Sequence, residues 1–330
     1  MITEQAKNIF RENSFISKYK TLILVTAKVV IALGLLFYLV YAVNFEEILS
    51  AINQANIYLI TVAFLLSFVN IYLQFYKWKI TANVVLQENN NSKIWLSLFY
   101  GFSAGVFTPA RIGEYFGRAL VFKNHSLLRV TLATLLDKLF LLLLVAFFGS
   151  ISSILFIHYY YQVTFYLTAG LFLLVFTLFY LLFWMIFNDK FWDNVFFTKL
   201  RNSIKLHWLF EKVKVFRKLD KKYATKMLFV SFVFYLCFLV QYAVLVAAFS
   251  NHTNYFEYLW AGNLIMFAKT IIPPVSLGEL GIREGASVFF ITMLGESASV
   301  GFNASIFLFF INVLIPSLIG LTLLLKKNDD

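Results

Sequence analysis

Two short stretches hold most of the residues that could do chemistry inside otherwise apolar sequence. Thr108 to Arg118 reads T-P-A-R-I-G-E-Y-F-G-R, and Pro273 to Arg283 reads P-P-V-S-L-G-E-L-G-I-R. Pro109 aligns with Pro274, Gly113 with Gly278, Glu114 with Glu279 and Arg118 with Arg283, each pair 165 positions apart in a chain of 330 residues. Glu and Arg four residues apart share one helix face. Arginine binds phosphate through two parallel hydrogen bonds, which lysine cannot do. Ser276 and Glu279 have capping-box spacing, and Thr108 followed by Pro109 fits a helix start. A helix start presents free N–H groups and suits an anion. Local ion pairing and capping explain part of the pattern, but not why it occurs twice.

The anion-binding candidates are therefore Arg111, Arg118 and Arg283, with Lys269 one turn before Pro273. Glu114, Glu279, Glu284 and Ser276 complete the candidate substrate site. Pro109, Gly113, Pro274, Gly278 and Gly281 are the expected helix breaks. No catalytic residue, metal ligand or cofactor is expected. His125, His158, His207 and His252 are dispersed without metal-ligand spacing, and no phosphate-binding G-x-x-x-x-G-K-[ST] loop is present.

These residues need a membrane scaffold to position them. Hydrophobic residues make up 61% of the chain and charged residues 14%, with mean hydropathy +0.78. Soluble domains carry roughly 25% charged residues, so an all-α polytopic membrane protein is expected. Apolar runs at about 22–43, 57–76, 130–157, 163–187, 227–249 and 301–325 are long enough to span a bilayer. The first is too long for a signal-peptide core and reads as an uncleaved span. The motif regions, 94–122 and 257–295, each read as two half-length pieces around a Pro/Gly break. The single cysteine, Cys237, excludes an intramolecular disulfide.

The net charge of +11 follows topology and does not point to nucleic acid. Lys and Arg concentrate in 1–20, 77–93, 123–129, 190–226 and the tail, whereas 44–56, 158–162, 250–257 and 295–300 hold none. Cytoplasmic loops are enriched in these residues. All basic segments share one face only if both motif regions enter and return on the same side. This predicts six spans plus two re-entrant hairpins, with both termini cytoplasmic. The hairpins then enter from opposite faces, as in an inverted-topology repeat. The expected organisation is one transmembrane domain, 1–330. Repeat 1 covers about 20–160 and repeat 2 about 163–325, with a basic connector at 189–226. The aromatic and basic loop 190–222 suits either anionic-lipid docking or an ordinary connector.

Counting Lys77 with the loops leaves Lys28, Arg111, Arg118, Lys138, Lys269 and Arg283 inside the membrane, against Glu114, Asp137, Glu279 and Glu284. Charges at that depth are costly and mark functional sites. Asp137 and Lys138 are neighbours on a helix and should each pair across to another segment. The positive surplus points to an anionic ligand. No ATP motif is present, so movement of a ligand would be passive, ion-coupled or partner-driven.

The doubled motif, T-P-A-R-I-G-E…R and then P-P-V-S-L-G-E-L-G-I-R-E, resembles the transmembrane, flippase-like domain of lysylphosphatidylglycerol synthases and its stand-alone relatives. The resemblance covers essentially the whole chain. Pro109, Arg111, Gly113, Glu114, Arg118, Gly278, Glu279, Arg283 and Glu284 occupy the matching motif positions. It implies a bacterial or archaeal cytoplasmic-membrane protein that moves an aminoacylated or other anionic, lipid-linked substrate between leaflets. Its partners would be phospholipid and membrane lipid; the oligomeric state is left open. The synthases carry a soluble aminoacyl-transferase domain after the membrane part, whereas this sequence stops at Asp330, so lipid synthesis is not expected. Two other classes fit the same residues: an integral-membrane transferase acting on a lipid phosphate, with Glu114 or Glu279 as base, and a membrane subunit serving a partner enzyme.

Overall fold

The computed structural model describes residues 37, 41, 45–106, 108, 111–188, 221–272 and 281–326. Among the described residues there are ten helices and no strand. They are α1 (Phe45–Asn53), α2 (Ile57–Leu86), α3 (Asn91–Val106), α4 (Gly113–Ala119), α5 (Leu127–Tyr161), α6 (Phe165–Phe187), α7 (Lys221–Ser250), α8 (Tyr255–Ile271), α9 (Ile282–Met293) and α10 (Ala298–Lys326). The first expected span and the loop 190–220 lie outside the described residues.

Side-chain caps fix where the long helices begin. Asn56 accepts from the backbone N–H of Tyr58 and Leu59, Ser126 from Arg129 and Ser297 from Val300, which satisfies N–H groups that lack helical partners. Two helices widen locally into π turns, at Ala82–Leu86 in α2 and Phe310–Leu314 in α10. The second lies just before Pro316, which has no N–H to continue the ladder.

Among the described residues, five helices are long and apolar enough to cross a membrane: α2, α5, α6, α7 and α10. They coincide with five of the six expected spans. α2 differs in extent, because it runs ten residues past the expected end at 76 and carries Lys77 within the helix. Lys77 is buried, with its ammonium 3.8 Å from Asp137 Oδ1, so a partner inside the protein allows the span to continue through a charge. The basic-free segment 44–56 contains α1, which buries Ile48 against Phe302.

Both motif regions form a helix, a break and a second helix. α4 lies antiparallel on α3 at backbone contact distance: a Cβ on Gly113 would sit 2.0 Å from Ala104 O, and one on Gly117 2.3 Å from Tyr100 O. The start of α8 is tied to the turn after α9, where Tyr258 donates to Glu296 Oε1 at 2.5 Å.

Each motif region also packs on the last long helix of the other half of the chain. Ser103 of α3 donates to Ser317 O of α10 at 2.6 Å, and Ser317 donates back to Phe102 O at 3.0 Å. Asn263 of α8 donates to Ser152 Oγ of α5 at 2.5 Å and to Phe148 O at 3.1 Å. Between these two exchanges, α2 and α7 run antiparallel over their full length. Asn56 N–H donates to Ala248 O at 2.8 Å, Gln241 to Ala63 O at 2.8 Å, and the Thr81 and Tyr223 hydroxyls meet at 3.0 Å. The largest apolar core gathers around α7, α8 and α10.

Candidate substrate-binding cavity

The first motif turns its charges inward through local backbone geometry. Arg111 has φ 54°, a left-handed conformation that a non-glycine side chain rarely adopts. The Thr108 hydroxyl accepts from Gly113 N–H at 2.7 Å. Thr108 thus caps the start of α4 from five residues upstream, not from the adjacent N-cap position that the sequence predicts. Ile112 sits at that position and makes no side-chain cap. This turn aims Glu114 and Arg118 toward α5.

There they enter a network of buried charge. Arg118 donates to Glu114 Oε1 at 2.6 Å and to Asp137 Oδ2 at 3.0 Å. Its guanidinium lies 4.3 Å from the ring centre of Trp78, and Trp78 is itself held by a 2.7 Å hydrogen bond to Ser97 Oγ. Lys138 donates to Glu114 Oε2 at 2.7 Å, with Arg111 Nε 3.7 Å from the same oxygen. Asp137 also faces Lys77. Asp137 and Lys138 therefore each pair across to another segment, as their adjacency on one helix requires.

The second motif is satisfied more locally. Gly281, at φ 89°, opens α9, and its N–H donates to Glu284 Oε2 at 2.7 Å. Arg283 pairs with Glu284 Oε1 and donates to Ser305 Oγ at 3.1 Å. The residue that reaches back to the start of this helix is therefore Glu284. Pro109, Pro274, Ser276, Gly278 and Glu279 lie outside the described residues.

Residues of both motif regions line one cavity of about 630 Å³. Its wall carries Lys77, Arg111, Arg118, Lys138, Lys269 and Arg283, opposed by Glu114 and Asp137, with Glu284 behind Arg283. The remaining wall is mainly apolar and includes Leu and Phe side chains. Five buried polar atoms have no hydrogen-bond partner among the described residues: Asn70 Nδ2, Arg111 Nε, Arg118 Nε, Asp137 Oδ1 and Ser231 Oγ. The first four belong to residues that line this cavity, and Ser231 does not.

A family model described as the lysylphosphatidylglycerol synthase TM region matches residues 25–320. The chain belongs to this family. It is accordingly a multi-pass membrane protein, in a family whose description ties it to a phospholipid. A search of curated proteins returns no matching sequence.

In this member of the lysylphosphatidylglycerol synthase TM region family, five of the expected site residues meet at the cavity: Arg111, Glu114, Arg118, Lys269 and Arg283. Glu284 stands one layer back. The sequence reading left Lys77, Asp137, Lys138 and Asn70 out of the site. Asp137 and Lys138 were legible as charges within a span, but nothing in their spacing linked them to the motif 20 or so residues earlier. Lys77 looked like a loop residue because polar sequence follows it.

Proposed function

We propose that the protein moves an anionic or aminoacylated phospholipid, or another lipid-linked phosphate, between membrane leaflets. The observation that carries this reading is the cavity itself, whose six cations come from both motif regions as well as from α2 and α5. Arg111, Lys138, Lys269 and Arg283 receive the headgroup phosphate, and the acyl chains stay in lipid. Arg118, Glu114 and Asp137 hold the wall in shape. The reciprocal packing of each motif region on the other half, and the antiparallel α2/α7 pair, support an inverted-topology repeat. Rocking of the two repeats then alternates access to the cavity. In this reading the motif regions are re-entrant, because broken backbone at membrane depth must line a cavity or be buried in protein. The basic loops and both termini face the cytoplasm.

Translocation of labelled phospholipids in proteoliposomes tests this directly. Movement of an anionic or aminoacylated lipid by the wild type, and its loss in Arg111→Ala/Lys269→Ala, is the expected result. A folded protein that moves no lipid would overturn the reading. Formation of a new lipid product in detergent would favour a transferase in its place.

A further inference from the structure

A second recess lies at one end of the α2/α7 pair, apart from the central cavity. Lys79 of α2 and Lys222 and Lys226 of α7 frame a volume of about 340 Å³. Ile80 and Val84 supply apolar wall, next to the π turn that widens the end of α2. Tyr76 also lines the recess, and its ring centre lies 5.3 Å from the Lys226 ammonium. The aromatic ring thus fixes one ammonium over the recess.

Position and charge identify the guest. Helices of 30 residues are about 45 Å long, against roughly 30 Å of bilayer hydrocarbon. The last turns of α2 and the first turns of antiparallel α7 therefore stand at headgroup level. No carboxylate among the described residues lies within ion-pair range of Lys79, Lys222 or Lys226. Their neighbours on the same stretch differ: Lys77 turns inward to Asp137, and Lys93 pairs with Glu88 at 3.3 Å. Three lysines that line one recess with no acid paired to them among the described residues, over an apolar wall and beside a tyrosine, match a phosphodiester with a glycerol stem beneath it. Basic pockets between membrane helices commonly take such headgroups.

We propose that this recess binds the phosphate of an acidic phospholipid at the membrane surface, and that the bound lipid bridges α2 to α7. The site is separate from the translocation cavity and stands whether or not the protein moves lipid.

The test uses the purified full chain in neutral detergent, titrated with phosphatidylglycerol, phosphatidylcholine or inorganic phosphate. The readouts are thermal unfolding and bound-lipid count by native mass spectrometry. Phosphatidylglycerol should raise the Tm of the wild type and of Arg111→Ala/Lys269→Ala alike. Lys79→Gln/Lys222→Gln/Lys226→Gln should bind about 100-fold more weakly, from roughly one tenfold step or less per lysine. Should the triple variant unfold without lipid, Lys222→Gln/Lys226→Gln, which changes only exposed side chains, reads the same loss in smaller measure. Undiminished binding by the glutamine variants, or equal binding of phosphatidylcholine, would overturn the proposal. So would displacement of the lipid by inorganic phosphate alone, which would assign the recess to a soluble anion.

Discussion

Arg118 and Arg283 occupy matching motif positions, yet the protein holds them in different ways. Arg118 is gripped by carboxylates from two helices, Glu114 on α4 and Asp137 on α5, and those carboxylates reach on to Lys138 and Lys77. Arg283 is held by its sequence neighbour Glu284 and by Ser305 of α10. The first arrangement ties α2, α4 and α5 into one body. The second satisfies its arginine within a single helix end and one partner helix. Among the described residues, then, matching motif positions are held differently: Arg118 by carboxylates of two helices, Arg283 by the next residue and one hydroxyl. If one of the two moves during transport, the comparison favours the second.

The sharpest way to break this comparison is to remove the shared carboxylate. Glu114→Ala leaves Lys138 and Arg111 without their carboxylate, and Arg118 with Asp137 alone, around a site only 3% exposed. Breaking a buried pair in this way costs about 3–5 kcal/mol. The expected outcome is poor recovery of folded protein and a large fall in Tm in detergent. A Glu114→Ala protein as stable as the wild type would show that the network is not structural.

Steric closure of the first motif region should cost somewhat less. Gly113→Ala places a methyl 2.0 Å from Ala104 O, which is backbone and cannot swing aside. Overpacking of this kind costs about 1–3 kcal/mol. Gly170→Ala in α6 is the matched control, because nothing lies within 4 Å of its added Cβ. The control should melt at or slightly above the wild-type Tm.

Much of this was legible in the sequence, and the reasons differ from element to element. α5, α6, α7 and α10 could be read because long apolar runs have few other solutions. The turn before Gly113 was legible from Pro and Gly in apolar sequence, which a membrane helix avoids, whereas Pro109, Pro274 and Gly278 lie outside the described residues. The end of α2 was misjudged because the cost of Lys77 depends on Asp137, 60 positions away in sequence, and sequence adjacency carries no sign of that pairing. The Gly281/Glu284 start of α9 was not legible either, since propensity ranks several possible starts and packing selects among them; Ser276 and Glu279 lie outside the described residues. The cavity, finally, is a product of helices crossing between the two halves, which no single stretch encodes.

Arg283→Ala should be milder than Glu114→Ala if the second motif region is self-contained. Glu284 is fully buried, but it keeps hydrogen bonds from Gly281 N–H and Ser305 after the arginine is lost. The expected loss lies below the roughly 3–5 kcal/mol of a buried pair broken outright, because those two hydrogen bonds to the carboxylate persist. Chemical or thermal unfolding of Arg283→Ala beside Arg118→Ala measures the contrast. Equal losses would erase the distinction between the two regions.

The smallest effect on stability and the largest on function are expected to coincide at Arg111. Its guanidinium is 3.7 Å from Glu114, farther than Lys138 and Arg118, which already neutralise that carboxylate. Removing it therefore leaves no carboxylate without a cation. Its left-handed backbone also gives Arg111→Ala no strain that the arginine did not already carry. A partly exposed pair at this distance contributes about 0–1 kcal/mol, so the Tm of Arg111→Ala should stay close to that of the wild type. Yet Arg111 Nε is one of the unpartnered donors at the cavity, and a headgroup phosphate there would take it. Lipid translocation by Arg111→Ala should fall at least tenfold if that single contact is charge-assisted, a bond of about 1.5–3 kcal/mol. Unchanged translocation would move the headgroup away from the first motif region and toward Lys269 and Arg283.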